Sequence, residues 1–248
     1  MDLTPHEETS CWWCGEVADS KEHRFKASQL RRMLENDDHL WFANSDRPTR
    51  INGARAKAVV FSKMMCKVCN NVRSQPFDVA YDHFANYIWE NPEYFRTRSN
   101  FDMLEIFDGD TSGSANLARY YIKNIACRIT EAGFQVPHQL VDFMDGALGV
   151  LGGTLLLYKD FSIFDYFSEQ GTQGHFQRAN SMHNPDSAAQ GPLVAFHAEI
   201  QDGPIGALFW WDAMTPTGVF FSLQSLTYLR VREELPYLDL HDYSDLFG

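Results

Sequence analysis

Apolar residues recur at three- and four-residue spacing in several stretches of the chain. Phe77, Tyr81, Phe84 and Ile88 mark one face of a helix over 76–89, and Pro76 suits its first turn. Leu117, Tyr120, Tyr121, Ile125 and Ile129 mark a longer helix over 114–132 that Gly133 terminates, and 137–144 reads as a shorter one. Strand material is of another kind. Val59, Val60 and Phe61 with Met64 and Met65 form one run, 148–158 is a second broken by glycines, and 193–200, 205–211 and 219–223 follow, with Asp202-Gly203 placed as a hairpin turn between two of them. The aromatics of 161–167 pack, whereas 171–191 turns polar and reads as a long loop or lid.

Glu90-Asn91-Pro92 stops the first helix, and an irregular acidic stretch runs on to Gly113. The pattern therefore predicts an α+β protein with an N-terminal domain over 1–92 and a mixed α+β domain over 93–248. Within the irregular stretch, Asp108, Asp110 and Ser112 read as a turn rather than a calcium loop, because Arg119 stands where a glutamate would be needed. His197 and Glu199 alternate on one strand face and read as ordinary exposed strand residues.

Charge divides the chain in the same way. The 248 residues carry 21 Lys and Arg against 33 Asp and Glu, a net of −12, which argues against a protein that coats nucleic acid indiscriminately. Residues 1–77 hold 12 basic and 10 acidic residues, whereas 78–248 hold 9 and 23. Seven basic residues and no acid lie between Arg47 and Arg73. That stretch is either a footprint for a phosphate backbone, with Arg50, Arg55, Lys63 and Lys67 as contacts, or a solvated basic loop. The acidic remainder suits regulation, capture of a protein partner or a homo-oligomer contact. No run is long and apolar enough to span a membrane, and acids stand where a secretory leader would be basic, so a cytoplasmic setting is expected.

Four of the five cysteines form two pairs, Cys11-Trp-Trp-Cys14 and Cys66-Lys-Val-Cys69. A two-residue gap lets both sulfurs of a tight turn face one ion, and two such pairs complete a tetrahedral structural Zn²⁺ site. Cys127, alone in an apolar stretch, reads as a small buried hydrophobe. Between the pairs lies Glu22-His23, and Asn70 follows the second pair directly before the 76–89 helix. The order is thus knuckle, acid-His, strand, knuckle, Asn, helix.

This layout over residues 8–90 resembles the HNH endonuclease superfamily, in particular its zinc-stapled C-x-x-C, E-H, C-x-x-C-N members. The resemblance implies a ββα unit gripping a catalytic Mg²⁺ or Mn²⁺, with His23 as general base and Glu22 and Asn70 as ligands. Hard oxygen donors suit such ions, and histidine titrates near neutrality. Asp78, then Asn71, are alternative helix ligands, and Asp82 is within the same reach. The Asn that orients the base in this family has no counterpart over 54–58, and Asn52 comes too early, so the orienting group is unassigned. The implied activity is phosphodiester hydrolysis, in DNA first, in a protein of phage or defence type. The competing expectations are a zinc module that binds nucleic acid or protein without cutting, in which Glu22 and His23 support the knuckle and Asn70 caps the helix, and an acidic interaction or inhibitor protein.

Overall fold

In the computed structural model the described residues are 10–36, 40–44, 47–147, 152–169, 177–183, 193–214, 218, 220 and 226–231. Strand β1 (Ser20–His23) pairs antiparallel with β4 (Val60–Met65), with Ser20 opposite Met65, Lys21 opposite Lys63 and His23 opposite Val60. The register slips on both sides of Lys21. Such a bulge re-aims side chains, and here Glu22 turns into the interior while His23 stays half-buried.

The chain between these strands builds helix α1 (Ala27–Asn36) and a hairpin of β2 (Leu40–Asn44) with β3 (Arg47–Ile51). This insertion has its own small core of Leu30, Met33, Ile51, Ala54 and Val59. Part of the basic stretch is therefore a hairpin strand, hard to foresee because Arg47-Pro48-Thr49-Arg50 has no apolar alternation.

After β4 a π-helical turn, Val68–Arg73, carries Cys69 and Asn70 into α2 (Gln75–Glu90). Its wider ring is visible in the Ser74 amide, which donates to the Cys69 carbonyl five residues back. Helix α2 buries Phe77, Tyr81, Phe84 and Ile88, the face expected from their spacing. Short elements follow: α3 (Pro92–Thr97), β5 (Asn100–Asp102) and α4 (Met103–Ile106).

Helix α5 (Gly113–Glu131) is buried along nearly its whole length and packs against α2, β1 and β4, and α6 (His138–Met144). A helix surrounded in this way sits at the centre of a molecule rather than on its surface. The remaining elements are β6 (Gly153–Lys159), α7 (Ser162–Glu169), β7 (Gln177–His183), β8 (Ala195–Asp202), β9 (Ile205–Asp212), β10 (Leu226–Tyr228) and β11 (Arg230–Val231). One five-stranded sheet has the order β11-β6-β9-β8-β7, with β11 parallel to β6 and the other pairs antiparallel; β10 pairs with β5.

The β8–β9 turn is Gly203-Pro204, and Gly203 has φ +57°, the positive first position of a II′ hairpin. Strand β7 lies inside the stretch that reads as a loop. Its sequence, Gln177 to His183, is mostly polar and shows no apolar alternation, and its ladder with β8 pairs all seven of its residues. The expected strand over 219–223 falls outside the described residues except Phe220, which bridges to Leu155. Glu199 is not exposed: it is buried and accepts a hydrogen bond from the Tyr158 hydroxyl.

One hydrophobic cluster runs from Cys11, Trp12 and Trp13 through α2, α5 and α6 to the sheet residues Leu155, Phe196 and Phe209, drawing on both sides of residue 92. Polar bolts reinforce it. Tyr81 and Trp89 of α2 both donate to Asp202 at the end of β8, at 2.9 and 3.2 Å. No helix among the described residues is long and apolar enough to cross a membrane.

Candidate metal centre and acid–histidine cluster

The sulfurs of Cys11, Cys14, Cys66 and Cys69 all lie within 4.8 Å of one another, and all four thiols are free of disulfides. Cys14 and Cys66 are 3.6 Å apart, close to the edge of a tetrahedron with Zn–S bonds of about 2.3 Å. Each knuckle is shaped by its backbone. The Gly15 amide donates to the Cys11 carbonyl at 2.8 Å with Gly15 at φ +80°, and the Cys69 amide points at the Cys66 sulfur at 3.4 Å. The donor set fits a structural zinc ion.

Neighbouring side chains fasten this centre to the rest of the fold. Arg73 approaches the Cys69 sulfur at 3.5 Å, lies 4.2 Å over the Trp13 ring and pairs with Asp145 after α6. Asp145 also accepts from the Trp13 indole at 2.8 Å. Lys67 is held by Asp19, which accepts from the Lys67 amide at 2.8 Å and lies 3.2 Å from its ammonium. Of the basic residues expected to meet phosphate, Lys67 therefore has an acid partner, whereas Arg50, Arg55 and Lys63 are exposed and show no ion pair among the described residues. Lys63 faces Lys21 across the strand pair.

Glu22, His23 and Asn70 all engage β1, each differently. Glu22 is 8% exposed, and its carboxylate lies 3.2 Å from the ammonium of Lys123 on α5. That ammonium, itself 1% exposed, also lies 3.0 and 3.2 Å from the two oxygens of Asp78 and 3.4 Å from the Ser74 hydroxyl. A second lysine, Lys26, reaches Asp78 at 2.7 Å and Asp82 at 3.7 Å. Burial alone would lift the Asp78 carboxyl; Lys123 and Lys26 outweigh it and hold the group below its ordinary value. Burial would likewise depress Lys123, but Glu22 and Asp78 reverse the sign and keep it charged.

Asn70 is 6% exposed and ties the π-helical turn to β1, its amide nitrogen donating to the Ser20 hydroxyl at 3.0 Å and the Lys21 carbonyl at 3.1 Å. A carbonyl can only accept, which fixes the amide's orientation and leaves its oxygen as the free end. That oxygen is buried without a hydrogen-bond partner. Asn71 is exposed.

The Nε2 of His23 is likewise buried and unpartnered. Burial pushes the imidazole below its ordinary pKa, Arg31 and Lys26 add to this, and Glu22 with the backbone of Ala54 opposes it. The Ala54 backbone beside the ring is a contact the sequence could not announce, because a main-chain group carries no side-chain signature. From behind, Asn124 of α5 donates to the His23 and Arg24 carbonyls, both at 3.2 Å, and Arg128 holds Asn124 at 2.9 Å.

Among the described residues, the four cysteines are the one group of His, Cys, Asp or Glu whose ligand atoms converge as a metal site requires. For a second, hard cation the donor chemistry fits in part: the Glu22 and Asp78 carboxylates and the unpartnered Asn70 oxygen are all oxygen ligands. What the sequence reading missed is Lys123, with Ser74, Lys26 and Asn124. A signal existed in Lys123, Asn124 and Arg128, which stand among the apolar positions Tyr120, Tyr121, Ile125 and Ile129 of α5, since buried charges require partners. No protein-family model, curated protein or solved structure matches the chain.

Proposed function

We propose that this protein is a zinc-stapled, HNH-like phosphodiester hydrolase acting on nucleic acid, DNA first, with His23 as its general base. The observation that carries the proposal is the pair of unsatisfied buried atoms. Five buried side-chain nitrogens and oxygens lack a partner among the described residues, and two of them are His23 Nε2 and Asn70 Oδ1, on residues singled out independently from the sequence. Each such group costs roughly 1–3 kcal/mol, a burden that folds carry where chemistry uses the group.

In this reading His23, neutral near pH 7, takes the proton of an attacking water at Nε2. Glu22 and Asn70 would hold a Mg²⁺ or Mn²⁺ ion, with Asp78 beside them, and that ion when bound supplies charge neutralisation at the leaving oxygen. Arg50, Arg55 and Lys63 offer cations to the phosphate backbone, and Lys67 contributes less because Asp19 shares it. A cytoplasmic setting suits four reduced thiols. The acidic remainder of the chain is assigned to control or assembly, through a protein partner or a second copy of the chain.

A plasmid-nicking assay with Mg²⁺ or Mn²⁺ tests the proposal. His23→Ala is expected to reduce cleavage by at least about a hundredfold, the usual worth of a general base. Cleavage that survives this substitution removes the assignment. A second reading, a zinc module that binds without cutting, is favoured by one specific contact: the Glu22 carboxylate is already ion-paired with a buried lysine.

A further inference from the structure

We infer that Lys123 is the built-in counter-cation of the acid–histidine cluster, its ammonium competing with a divalent ion for the Glu22 and Asp78 carboxylates and so setting a low metal affinity. This rests on Glu22 as a cation ligand, as in the proposal above, but not on cleavage.

Four oxygens, from Glu22, Asp78 and Ser74, surround this one nitrogen at 3.0–3.4 Å. The nitrogen is delivered by α5, a central helix that is also hydrogen-bonded to the end of β1 through Asn124. A full positive charge in direct contact with both carboxylates opposes a second cation on the same oxygens, and in a partly desolvated site that repulsion moves a metal affinity by roughly tenfold or more. The wild-type cluster therefore binds divalent ions weakly, and removing the ammonium releases two carboxylates to a metal.

The test is Mn²⁺ binding by zinc-loaded, full-length protein, read by titration calorimetry and by the change in melting temperature on adding Mn²⁺. Lys123→Met keeps the length of the side chain and deletes its charge. It is expected to bind Mn²⁺ at least roughly tenfold more tightly than wild type and to gain more melting temperature than wild type at the same Mn²⁺ concentration, and adding Glu22→Gln should erase both effects. A folded, zinc-replete Lys123→Met protein whose Mn²⁺ affinity is unchanged or weaker overturns the inference. Should that variant fail to fold, Asp78→Asn is compared with Asp78→Asn/Lys123→Met, which loses one charge of each sign. Tighter Mn²⁺ binding by the double variant supports the inference, and equal or weaker binding overturns it. None of these readouts involves DNA, so a wild type that cuts nothing ends the hydrolase proposal and leaves this one standing.

Discussion

Two clusters join the same distant pieces of chain, and they do so by opposite means. The cysteine centre links residues 11–14 to 66–69 with four chemically identical donors whose spacing alone announces them. The acid–histidine cluster links β1 to the start of α2 with a carboxylate, an amide, a second carboxylate and one ammonium from α5, about a hundred residues beyond Glu22. The first is a local geometry repeated twice; the second exists only after α5 has docked. A thiolate site is thus written in spacing, whereas an ionic cluster is written in tertiary packing.

The largest effect that separates the two clusters is expected at the cysteines. Cys66→Ser removes a buried thiolate, and since zinc binding of this type contributes folding energy outright, the variant should lose its zinc and the cooperative unfolding of the N-terminal region. Zinc content by atomic absorption, read beside thermal unfolding, checks this. A Cys66→Ser protein that keeps stoichiometric zinc and a wild-type melt would show that the four sulfurs are not a metal centre.

Asp78→Ala attacks the second cluster and should cost less. It leaves the buried Lys123 ammonium with Glu22 as its remaining carboxylate and deprives Lys26 of its nearer partner, a loss on the order of 3 kcal/mol, since breaking a buried pair strands the remaining charge. Denaturant unfolding with zinc retained measures it. A change under about 0.5 kcal/mol would mean that the cluster contributes no more than surface charges do.

The same contrast explains what the sequence made legible. The faces of α2 and α5 were readable because Phe77, Tyr81, Phe84, Leu117 and Ile125 repeat at helical spacing and each is buried. The β8–β9 hairpin was readable from Asp202-Gly203. Strand β7 and the β2–β3 hairpin were not, because partner strands rather than apolar alternation define them. Within the site, Glu22, His23 and Asn70 were visible as an ordered motif. Lys123 and the Ala54 backbone contact were hidden, one because its partners lie far along the chain, the other because a main-chain group has no residue type.

The smallest expected effect, and the sharpest on His23, is a pH dependence. Burial holds the folded-state pKa of this imidazole below 6.5, its ordinary value. Between the two values the unfolded chain binds a proton that the folded chain refuses, so acid favours unfolding: no penalty is felt above about pH 6.5, and stability falls as pH drops toward the folded pKa. His23→Gln should flatten that part of the melting-temperature curve. His197 is also depressed by burial, so some slope will persist, and His197→Gln serves as the parallel variant. Asp78 acts in a separate range, because its pKa lies below 3.8 and its contribution disappears only in stronger acid. Comparing each variant with wild type at equal pH and equal zinc content cancels protonation of the thiolates. A slope that His23→Gln leaves untouched would mean that the imidazole is as well solvated folded as unfolded, and a ring open to bulk water has no claim to the enclosed Nε2 on which the base assignment depends.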